Sequence, residues 1–252
     1  MTDLPLTPDD NALRITAAIR PHLARVEGRP VVLVDGDRTL SPDDTSRTFA
    51  ARAGIDPMLV KRRFQRDGYV FDAFRYHAAL HIALGEEAFA RLAPEIAAEA
   101  PLYPGAIDGL RSLSDRAEVF VVSAGIPAIW RAILERHGLG GVKVIGGIDP
   151  AQPYVFGRSE KGLVARRLRE VAGATLAIGD SDVDTEMLLA ADRAVVVVNH
   201  HLNADLLPHL AVHPSLWQIA PGAQHHAHIK QICFEDLITL LDPQPVEVAP
   251  CR

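Results

Sequence analysis

The chain has 252 residues, carries a formal net charge of -6, and is 48% hydrophobic and 23% charged. This composition predicts a packed globular protein, and the negative charge argues against a general nucleic-acid binder, which usually has a basic face. No apolar run approaches the ~18 residues that a membrane span needs, and the acidic start lacks the regions of a secretory signal. The two cysteines, Cys233 and Cys251, indicate neither a disulfide framework nor a metal site. We therefore expect a cytoplasmic protein without nucleic-acid or membrane partners, and its oligomeric state is not predicted.

Helices and short buried strands alternate along most of the chain. A first helix is predicted over 9–26, and others over 126–137 and 161–171. Five short β-branched segments are predicted to be buried strands: 31–35, 119–123, 142–147, 175–180 and 194–199. Strands that alternate with helices form a parallel sheet covered on both faces, so we expect an α/β fold with three layers.

One segment, 42–100, interrupts this alternation because it contains no pattern of a buried strand. Its sequence predicts four helices, over 44–53, 57–66, 71–84 and 86–98, with Gly54, Gly68 and Gly85 at their ends. We predict a helical subdomain over 42–100, inserted into a core formed by 1–41 and 101–252. The segment after Leu241 is rich in proline, and we expect it to be loosely packed.

Two carboxylates follow the first predicted strand, in the sequence VVLVDGDRTL. Ligand sites of open α/β sheets form at the carboxyl ends of the strands, where Asp35 and Asp37 stand. One carboxylate at this place can attack phosphorus and form an aspartyl-phosphate. A second can protonate the leaving oxygen and then deprotonate a water molecule. The alternative is an acidic turn after a strand, since Asp-Gly is a common turn pair.

Two further elements end in side chains that suit a phosphate group. Ser123 closes the second strand and precedes Ala124 and Gly125, so a hydroxyl and exposed backbone N–H groups are available there. Lys161 stands near the start of a later helix, and its ammonium can neutralise a bound phosphate. The alternatives are an ordinary helix N-cap for Ser123 and a solvated surface position for Lys161.

A cluster of acids follows the strand over 175–180. Asp180, Asp182 and Asp184 fall within five residues and repel one another unless a cation is present. Magnesium prefers oxygen ligands, so Asp180 is a candidate direct ligand and Asp184 a candidate supporting group. An acidic helix N-terminus, favoured by the helix dipole, is the alternative.

Taken together, these motifs resemble those of the haloacid-dehalogenase (HAD) superfamily. DGDRT matches its first motif, DxDxT; Ser123 matches the second, Lys161 the third, and GDSDVD the fourth. The resemblance implies a Rossmannoid core, Mg²⁺ dependence and Asp35 as the nucleophile. It further implies a metal shell of the Asp35 carboxylate, the Asp37 backbone carbonyl and the Asp180 carboxylate. Thr39 is then expected to shape the turn and to hydrogen-bond Asp37 or the phosphate. Asp37 favours phosphoryl chemistry, because dehalogenase members lack that second acid.

The inserted helices resemble the type-one cap of the phosphoserine-phosphatase-like branch of this superfamily. There an acidic cap residue holds the substrate's amino group, and Asp44 falls at that place. SPDD over 41–44 equally matches a helix start, with Ser41 at the N-cap, Pro42 at the first helical position and the acids in the first turn. His77 falls where the branch has an arginine that binds the substrate carboxylate, and Arg75 lies two residues earlier, on nearly the opposite face. Val183 stands where the branch has asparagine. We therefore expect L-phosphoserine not to be the preferred substrate.

The sequence thus predicts a Mg²⁺-dependent phosphomonoester hydrolase that acts on a small phosphorylated metabolite through an aspartyl-phosphate. A phosphotransferase that passes the phosphoryl group to an acceptor other than water would need the same residues, and a non-catalytic module would lack at least one of them. In the histidine-rich segment 200–228, HHAH at 225–228 would suit a zinc or copper site, but the nearby proline and glycine suggest a surface loop. The stretch 200–232 is longer than a minimal core needs and is expected to cover the mouth of the site or to form an interface. No role is assigned to Arg38.

Overall fold

The computed structural model describes residues 4–152 and 154–242. Within these residues, seven strands form one entirely parallel sheet in the order β3-β2-β1-β4-β5-β6-β7. The strands are β1 Pro30–Val34, β2 Glu118–Ser123, β3 Lys143–Gly146, β4 Ala174–Gly179, β5 Arg193–Val197, β6 Leu216–Ile219 and β7 Lys230–Gln231. The predicted parallel α/β fold is therefore confirmed.

Helices cover both faces of the sheet and make it the middle of three layers. Their bounds are α1 Pro8–Val26, α2 Thr45–Arg52, α3 Pro57–Asp67, α4 Phe71–Ile82, α5 Gly85–Glu99, α6 Ala106–Ser114, α7 Pro127–Arg136, α8 Arg158–Arg169, α9 Thr185–Ala190 and α10 Leu207–Leu210. Short 3-10 helices span Asp182–Asp184 and Phe234–Leu241.

Alternating side chains of β1 show why both faces must be covered. Val31 and Leu33 pack with apolar residues of α1, α8 and α9 on one face. Val32 and Val34 pack with residues of α5, α6 and α7 on the other face. All four side chains are fully buried, as expected for a central strand of a parallel sheet.

The segment 42–100 holds the four helices α2 to α5 and no strand, and all of its backbone is described. Asp44 and Asp56 cap α2 and α3 through their side chains, and Gly68 ends α3 with a left-handed φ of 74°. The last helix, α5, packs against α7 of the core through an apolar face that includes Phe89, Leu92 and Ile96. Division of the chain into a core and a helical subdomain remains a prediction.

The chain contains structure beyond the predicted elements, mainly in its last third. The histidine-rich segment supplies β6 and the path to β7, which the sequence did not predict, while residues 225–228 lie outside helices and strands. Gln218 is fully buried and binds backbone groups of His226 and Ile229, which joins the two ends of this connection. β6 and β7 were missed because they are only four and two residues long, and β7 is also polar.

Two expectations concern the end of the chain. Cys233 is disulfide-bonded, which the sequence did not indicate, and Cys251 lies outside the described residues. The proline-rich segment after Leu241 also lies outside them from residue 243 onward. Among the described residues, no helix has the length and apolar character needed to cross a bilayer.

The order of the strands predicts a ligand-binding site at the carboxyl end of β1. From β1 the chain moves outward to β2 and β3, then returns across the sheet to β4 on the other side of β1. Such a reversal leaves the loops after the flanking strands diverging, so a crevice opens beyond the strand ends. The loops after β1, β2 and β4 carry the side chains that the sequence singles out.

Candidate active site

A buried acid cluster lies at the carboxyl ends of β1 and β4. One carboxylate oxygen from each of Asp35, Asp180 and Asp184 lies within 4.8 Å of the others, and all three residues are buried. Asp35 follows β1 directly, and its backbone N–H donates to Ile178 of β4 over 2.9 Å, which fixes the two strand ends side by side. Three carboxylates therefore converge where the topology predicts a ligand.

Lys161 brings a single cation into this cluster. Its Nζ lies 2.5 Å from Asp35 Oδ1 and 2.6 Å from Asp184 Oδ1, and the residue is only 1% exposed. Lys161 stands in the first turn of α8, so its expected alternative as a solvated surface side chain is wrong. A buried ammonium between two buried carboxylates has its charge matched, which offsets the free energy lost on leaving water.

Asp184 organises the cluster with its second oxygen. Asp184 Oδ2 accepts hydrogen bonds from the backbone N–H groups of Asp180 and Ser181, both at 3.1 Å, and from Ser181 Oγ at 3.2 Å. Gly179 makes this possible, since a Cβ there would lie 2.6 Å from the Asp184 side chain. Asp184 therefore has Lys161 on one oxygen and three donors on the other, and its role as a supporting group of a metal stays a prediction.

Thr39 bridges two acids of the cluster instead of contacting Asp37. Its Oγ1 lies 3.3 Å from Asp35 Oδ2 and 3.3 Å from Asp180 Oδ1, and the residue is fully buried. Of the two expected partners of Thr39, Asp37 is thus not the one contacted in this structure, and the hydrogen bond to the phosphate stays a prediction. The reason is the tight loop after β1, in which the N–H groups of Thr39 and Leu40 both donate to Gly36 O and turn the Thr39 side chain inward.

Burial and mutual repulsion disfavour the ionised form of these carboxyls. Burial raises the pKa of Asp35 to about 6, with Lys161 opposing the rise and Asp184 adding to it. Burial, followed by the charges of Asp184 and Asp35, raises the pKa of Asp180 to about 8. Burial lowers the pKa of Lys161, but Asp184 and Asp35 outweigh it and leave that pKa above its ordinary value.

These observations test whether the residues present fit a divalent cation. The donor set consists of hard carboxylate oxygens, which suits Mg²⁺. Lys161 and the guanidinium of Arg38 nearby still leave the pKa values of Asp35 and Asp180 raised, and a cation would offset the mutual repulsion that contributes to this rise. The acid cluster therefore fits Mg²⁺.

Asp37 stands beside this cluster under the start of α2. Thr45 Oγ1 donates to Asp37 Oδ1 over 2.7 Å, Trp130 Nε1 donates to the same oxygen over 3.2 Å, and Ser46 Oγ lies 3.4 Å from Oδ2. Burial, then the nearby charge of Asp44, raises the pKa of Asp37 to about 7. A carboxyl with a pKa near neutrality is suited to give and take a proton.

The residues after β2 form a small cradle beside Asp37. Ser123 Oγ accepts a hydrogen bond from the backbone N–H of Gly125 over 3.0 Å, and Ser123 is buried. A Cβ at Gly125 would lie 2.2 Å from Ser46 Oγ, 3.2 Å from Asp37 Oδ2 and 3.3 Å from Ser123 Oγ. Only glycine lets Ser46 Oγ approach the backbone between Asp37 and Ser123 this closely. Ser123, Ala124 and Gly125 remain candidates for holding a phosphate group.

Comparison with known proteins agrees with this arrangement. The family model of haloacid dehalogenase-like hydrolases matches residues 32–189, more than half of the chain. The chain belongs to this family. The expected membership is thus confirmed, and the matched region contains all the acids and the lysine described above. A comparison with curated proteins gives no match.

Solved structures share the fold of this haloacid dehalogenase-like hydrolase at low sequence identity. A protein of unknown function from Bordetella pertussis Tohama I is 18% identical with a TM-score of 0.60, covering 77% of this chain and 100% of that one. A HAD family hydrolase from Salmonella enterica serovar Typhi is 14% identical with a TM-score of 0.56, covering 96% and 84%. A substrate-bound phosphoserine phosphatase complex is 20% identical with a TM-score of 0.52, covering 75% and 92%. At these identities the likeness establishes the fold.

Within the inserted helices of this hydrolase, Asp44 and Arg38 lie together next to the acids. Asp44 Oδ1 accepts the N–H of Arg47 and caps α2, while Oδ2 pairs with Arg38 at 3.0 Å. Arg38 has a left-handed φ of 65°, and the surrounding acids, Asp44 foremost, outweigh its burial and raise its pKa. A helix does begin directly after SPDD, but its N-cap is Asp44, so the expected N-cap at Ser41 with Pro42 as the first helical residue is wrong. The ion pair with Asp44 connects Arg38 of the first motif to the start of α2.

Arg75 and His77 lie among different neighbours on α4. Arg75 pairs with Asp72 at 3.1 Å and donates to Leu4 O over 3.0 Å. His77 is packed edge-on against His81 at 4.6 Å between ring centroids, and burial places its pKa well below the ordinary value. His77 is thus a neutral imidazole, and its assignment to the substrate remains a prediction.

Several side chains of the site were not predicted from the sequence. Asn199 Nδ2 and Asn203 Nδ2 donate to Asp180 O over 3.2 Å and 2.7 Å and hold the loop after β4. Asn199 ends the predicted strand AVVVVN, so its place at the same sheet edge could have been inferred. Thr45, Ser46 and Trp130 carry no such signal, because they approach Asp37 only through the packing of α2 and α7.

Proposed function

We propose that this protein is a Mg²⁺-dependent phosphomonoester hydrolase that acts on a small phosphorylated metabolite through an aspartyl-phosphate on Asp35. One observation carries the proposal: Lys161 and the three acids converge on one buried point, with Asp37 beside it. A nucleophilic carboxylate, a cation to neutralise phosphoryl oxygens and a second carboxyl for proton transfer are the groups that this chemistry needs.

Residues of the chain can carry both halves of the reaction. The Asp35 carboxylate attacks phosphorus while the bond from phosphorus to the leaving oxygen breaks, and Asp37 gives its proton to that oxygen. Asp37, now ionised, takes a proton from water as the water oxygen attacks the phosphorus of the aspartyl-phosphate. The bond between Asp35 and phosphorus then breaks, which releases inorganic phosphate and restores both carboxyl groups.

The remaining groups bind the phosphoryl group of the substrate and neutralise its charge. Lys161 is placed to offset charge on the phosphoryl oxygens, and Ser123 with the backbone after β2 is placed to hold one of them. Asp35, Asp180 and the backbone carbonyl of Asp37 would hold Mg²⁺, with Asp184 supporting them. Mg²⁺ supplies positive charge for the phosphoryl oxygens as the transition state forms.

The insert favours a substrate other than free L-phosphoserine. Where the related branch has an arginine for the substrate carboxylate, this chain has His77, which is neutral and packed against His81. A neutral imidazole is a poor partner for a carboxylate compared with a bidentate guanidinium. We propose a bulkier or less zwitterionic phosphomonoester, such as a phosphorylated sugar, nucleotide or specialised metabolite.

A phosphate-release screen tests the proposal. The enzyme is incubated with a panel of phosphorylated metabolites that includes L-phosphoserine, with Mg²⁺ and with excess EDTA. We expect Mg²⁺-dependent release, with a kcat/KM of roughly 10⁴ M⁻¹s⁻¹ or more for the best substrate, and phosphoserine not ranked first. Full activity in EDTA would exclude the assigned metal site, and transfer of phosphate to an added alcohol in preference to water would favour a phosphotransferase.

A further inference from the structure

The indole N–H of Trp130 reaches the carboxylate of Asp37, which is the proposed proton donor and acceptor of the reaction. Trp130 itself lies outside the four sequence motifs. Trp130 stands on α7, is fully buried, and donates from Nε1 to Asp37 Oδ1 over 3.2 Å. The only other tryptophan, Trp217 on β6, donates to Ser215 and stacks with Lys230. Trp130 thus makes a polar contact at the site that its apolar packing alone does not require.

The two oxygens of Asp37 differ in their surroundings. Oδ1 accepts from Thr45 at 2.7 Å and from Trp130 at 3.2 Å, so both of its lone pairs are engaged. Oδ2 has one long side-chain contact, 3.4 Å to Ser46 Oγ, and lies beside Gly125, where Ser46 Oγ occupies the place that a Cβ would take. The geometry therefore leaves Oδ2 available for proton exchange at the cradle where Ser123 and Gly125 lie.

The position of the Trp130 ring is fixed from below by the loop after β1. A Cβ at Gly36 would come within 2.2 Å of Trp130 Cε2 and 2.4 Å of Nε1, so the ring lies directly on the Gly36 backbone. Gly36 joins Asp35 to Asp37 in the chain. The ring therefore rests on the residue between the proposed nucleophile and the proposed acid, and its N–H points back to the latter.

We propose that Trp130 is a positioning residue, which together with Thr45 holds Asp37 Oδ1 and so directs Oδ2 toward the leaving oxygen and then toward the attacking water. This role rests on the proposed function. Thr45 belongs to the inserted helices and Trp130 to the core, so only the bond from Trp130 persists if α2 moves away. Trp130 thus holds the orientation of Asp37 independently of the insert.

Leaving-group dependence tests this role. Protonation matters most for leaving groups of high pKa, so a misdirected Asp37 slows alkyl phosphates more than 4-nitrophenyl phosphate. We expect Trp130→Phe, which keeps an aromatic ring and removes the N–H, to lower kcat/KM for alkyl phosphates by roughly tenfold, as for loss of one hydrogen bond. Its kcat/KM for 4-nitrophenyl phosphate should fall less than about threefold, a change of ~0.6 kcal/mol. Trp217→Phe is the matched control and should leave both values unchanged.

A series of aryl and alkyl phosphates gives a slope of log kcat/KM against leaving-group pKa. The proposal is supported if this slope is steeper for Trp130→Phe than for the wild type, which is the change also expected for Asp37→Asn. Equal losses for all members, giving parallel slopes, would overturn it and leave Trp130 a packing residue. If Trp130→Phe does not fold by circular dichroism, benzothienylalanine at position 130 replaces the N–H by sulfur at nearly constant shape, and the same two outcomes decide. An inactive wild type would instead refute the proposed function, and the role of Trp130 with it.

Discussion

At the scale of single residues, Asp35 is the position on which the proposed chemistry depends most. Asp35→Asn should abolish phosphate release while the fold survives, because an amide is not an anionic nucleophile. A loss of more than ~4 kcal/mol of barrier lowering, roughly a thousandfold in rate, is expected. Steady-state phosphate release measures it, with the exposed Asp108→Asn as a control that should retain full activity. If Asp35→Asn kept more than about a tenth of the wild-type rate, it would have lost no more than ~1.4 kcal/mol of barrier lowering. The covalent mechanism would then be excluded.

Substitution of Asp180 tests the metal site through thermal stability, without relying on a measurement of turnover. In metal-free buffer, Asp180→Asn should unfold at a higher temperature than the wild type, because it removes one of three mutually repelling buried carboxylates. Mg²⁺ at a hundredfold excess over its Kd should stabilise the wild type by about 2.7 kcal/mol, or roughly 5–10 °C at this chain length. The variant should lose most of that increment.

Calorimetry with and without Mg²⁺ measures both changes for Asp180→Asn. Asp205→Asn, an exposed substitution near the same sheet edge, should keep the wild-type increment. An increment of equal size in Asp180→Asn and the wild type would show that Asp180 is not a ligand. Calcium, which takes a larger and looser oxygen shell, should stabilise the protein but inhibit phosphate release.

At the scale of secondary-structure elements, two substitutions of Asp44 distinguish how much helix capping and ion pairing each contribute to stability at the start of α2. Asp44→Ala removes the acceptor for the N–H of Arg47 and should cost about 0.5–2 kcal/mol of unfolding free energy. Asp44→Asn keeps a capping oxygen and loses only the half-exposed pair with Arg38, for which about 0–1 kcal/mol is expected. Urea denaturation compares the two. Equal destabilisation by both substitutions would show that the pair with Arg38, and not the cap, stabilises this end of α2.

The contact of α6 with the C-terminal 3-10 helix gives a second test at this scale. A Cβ at Gly109 would lie 2.3 Å from the backbone oxygen of Phe234, so the two elements would have to separate. Gly109→Ala should therefore destabilise the fold by about 1–3 kcal/mol, even though alanine favours helices over glycine. Gly141→Ala, where a Cβ meets nothing within 4 Å, is the matched control. A stabilised Gly109→Ala would contradict this packing.

At the scale of the whole molecule, the inserted helices cover the proposed acid. Thr45 and Ser46 of α2 lie on Asp37, and Ser46 also closes the space above Gly125. A phosphorylated substrate must enter at this place, and the reaction must exclude bulk water and later admit one molecule. We therefore predict that the segment 42–100 moves as a lid over the core.

Hydrogen–deuterium exchange with and without a phosphoryl analogue such as vanadate checks the lid. Amides of α2 should exchange more slowly when the analogue is bound, while those of α1, on the other face of the sheet, serve as the internal control and should not change. Two crystal forms or a ligand soak should show the helices of the insert rotated against the sheet. Unchanged exchange in α2 at saturating analogue would end the idea of a lid.

Much of the fold and half of the site followed from local sequence. The five β-branched segments predicted β1 to β5, of which β1, β2, β4 and β5 lie inside the sheet and β3 at its edge. A strand buried on both faces must be apolar throughout, which makes such strands recognisable in the sequence. β6 and β7 were missed because a short strand near a sheet edge need not be apolar, and buried Gln218 in β6 is held by backbone partners from distant residues. The disulfide of Cys233 likewise depends on a pairing that spacing does not reveal.

By itself the sequence determined which groups stand at the carboxyl ends of the strands, and hence the family and Asp35, Asp37, Lys161 and Asp180 as candidates. Only the tertiary structure decided how these groups pair: Lys161 between Asp35 and Asp184, Thr39 on Asp35 and Asp180, and Trp130 with Thr45 on Asp37. The physical reason is that strand ends are set by hydrophobic pattern and hydrogen-bonded register, which are local. Hydrogen-bond partners across the site depend on how separate helices pack, and that packing brings together residues as far apart as Asp37 and Trp130.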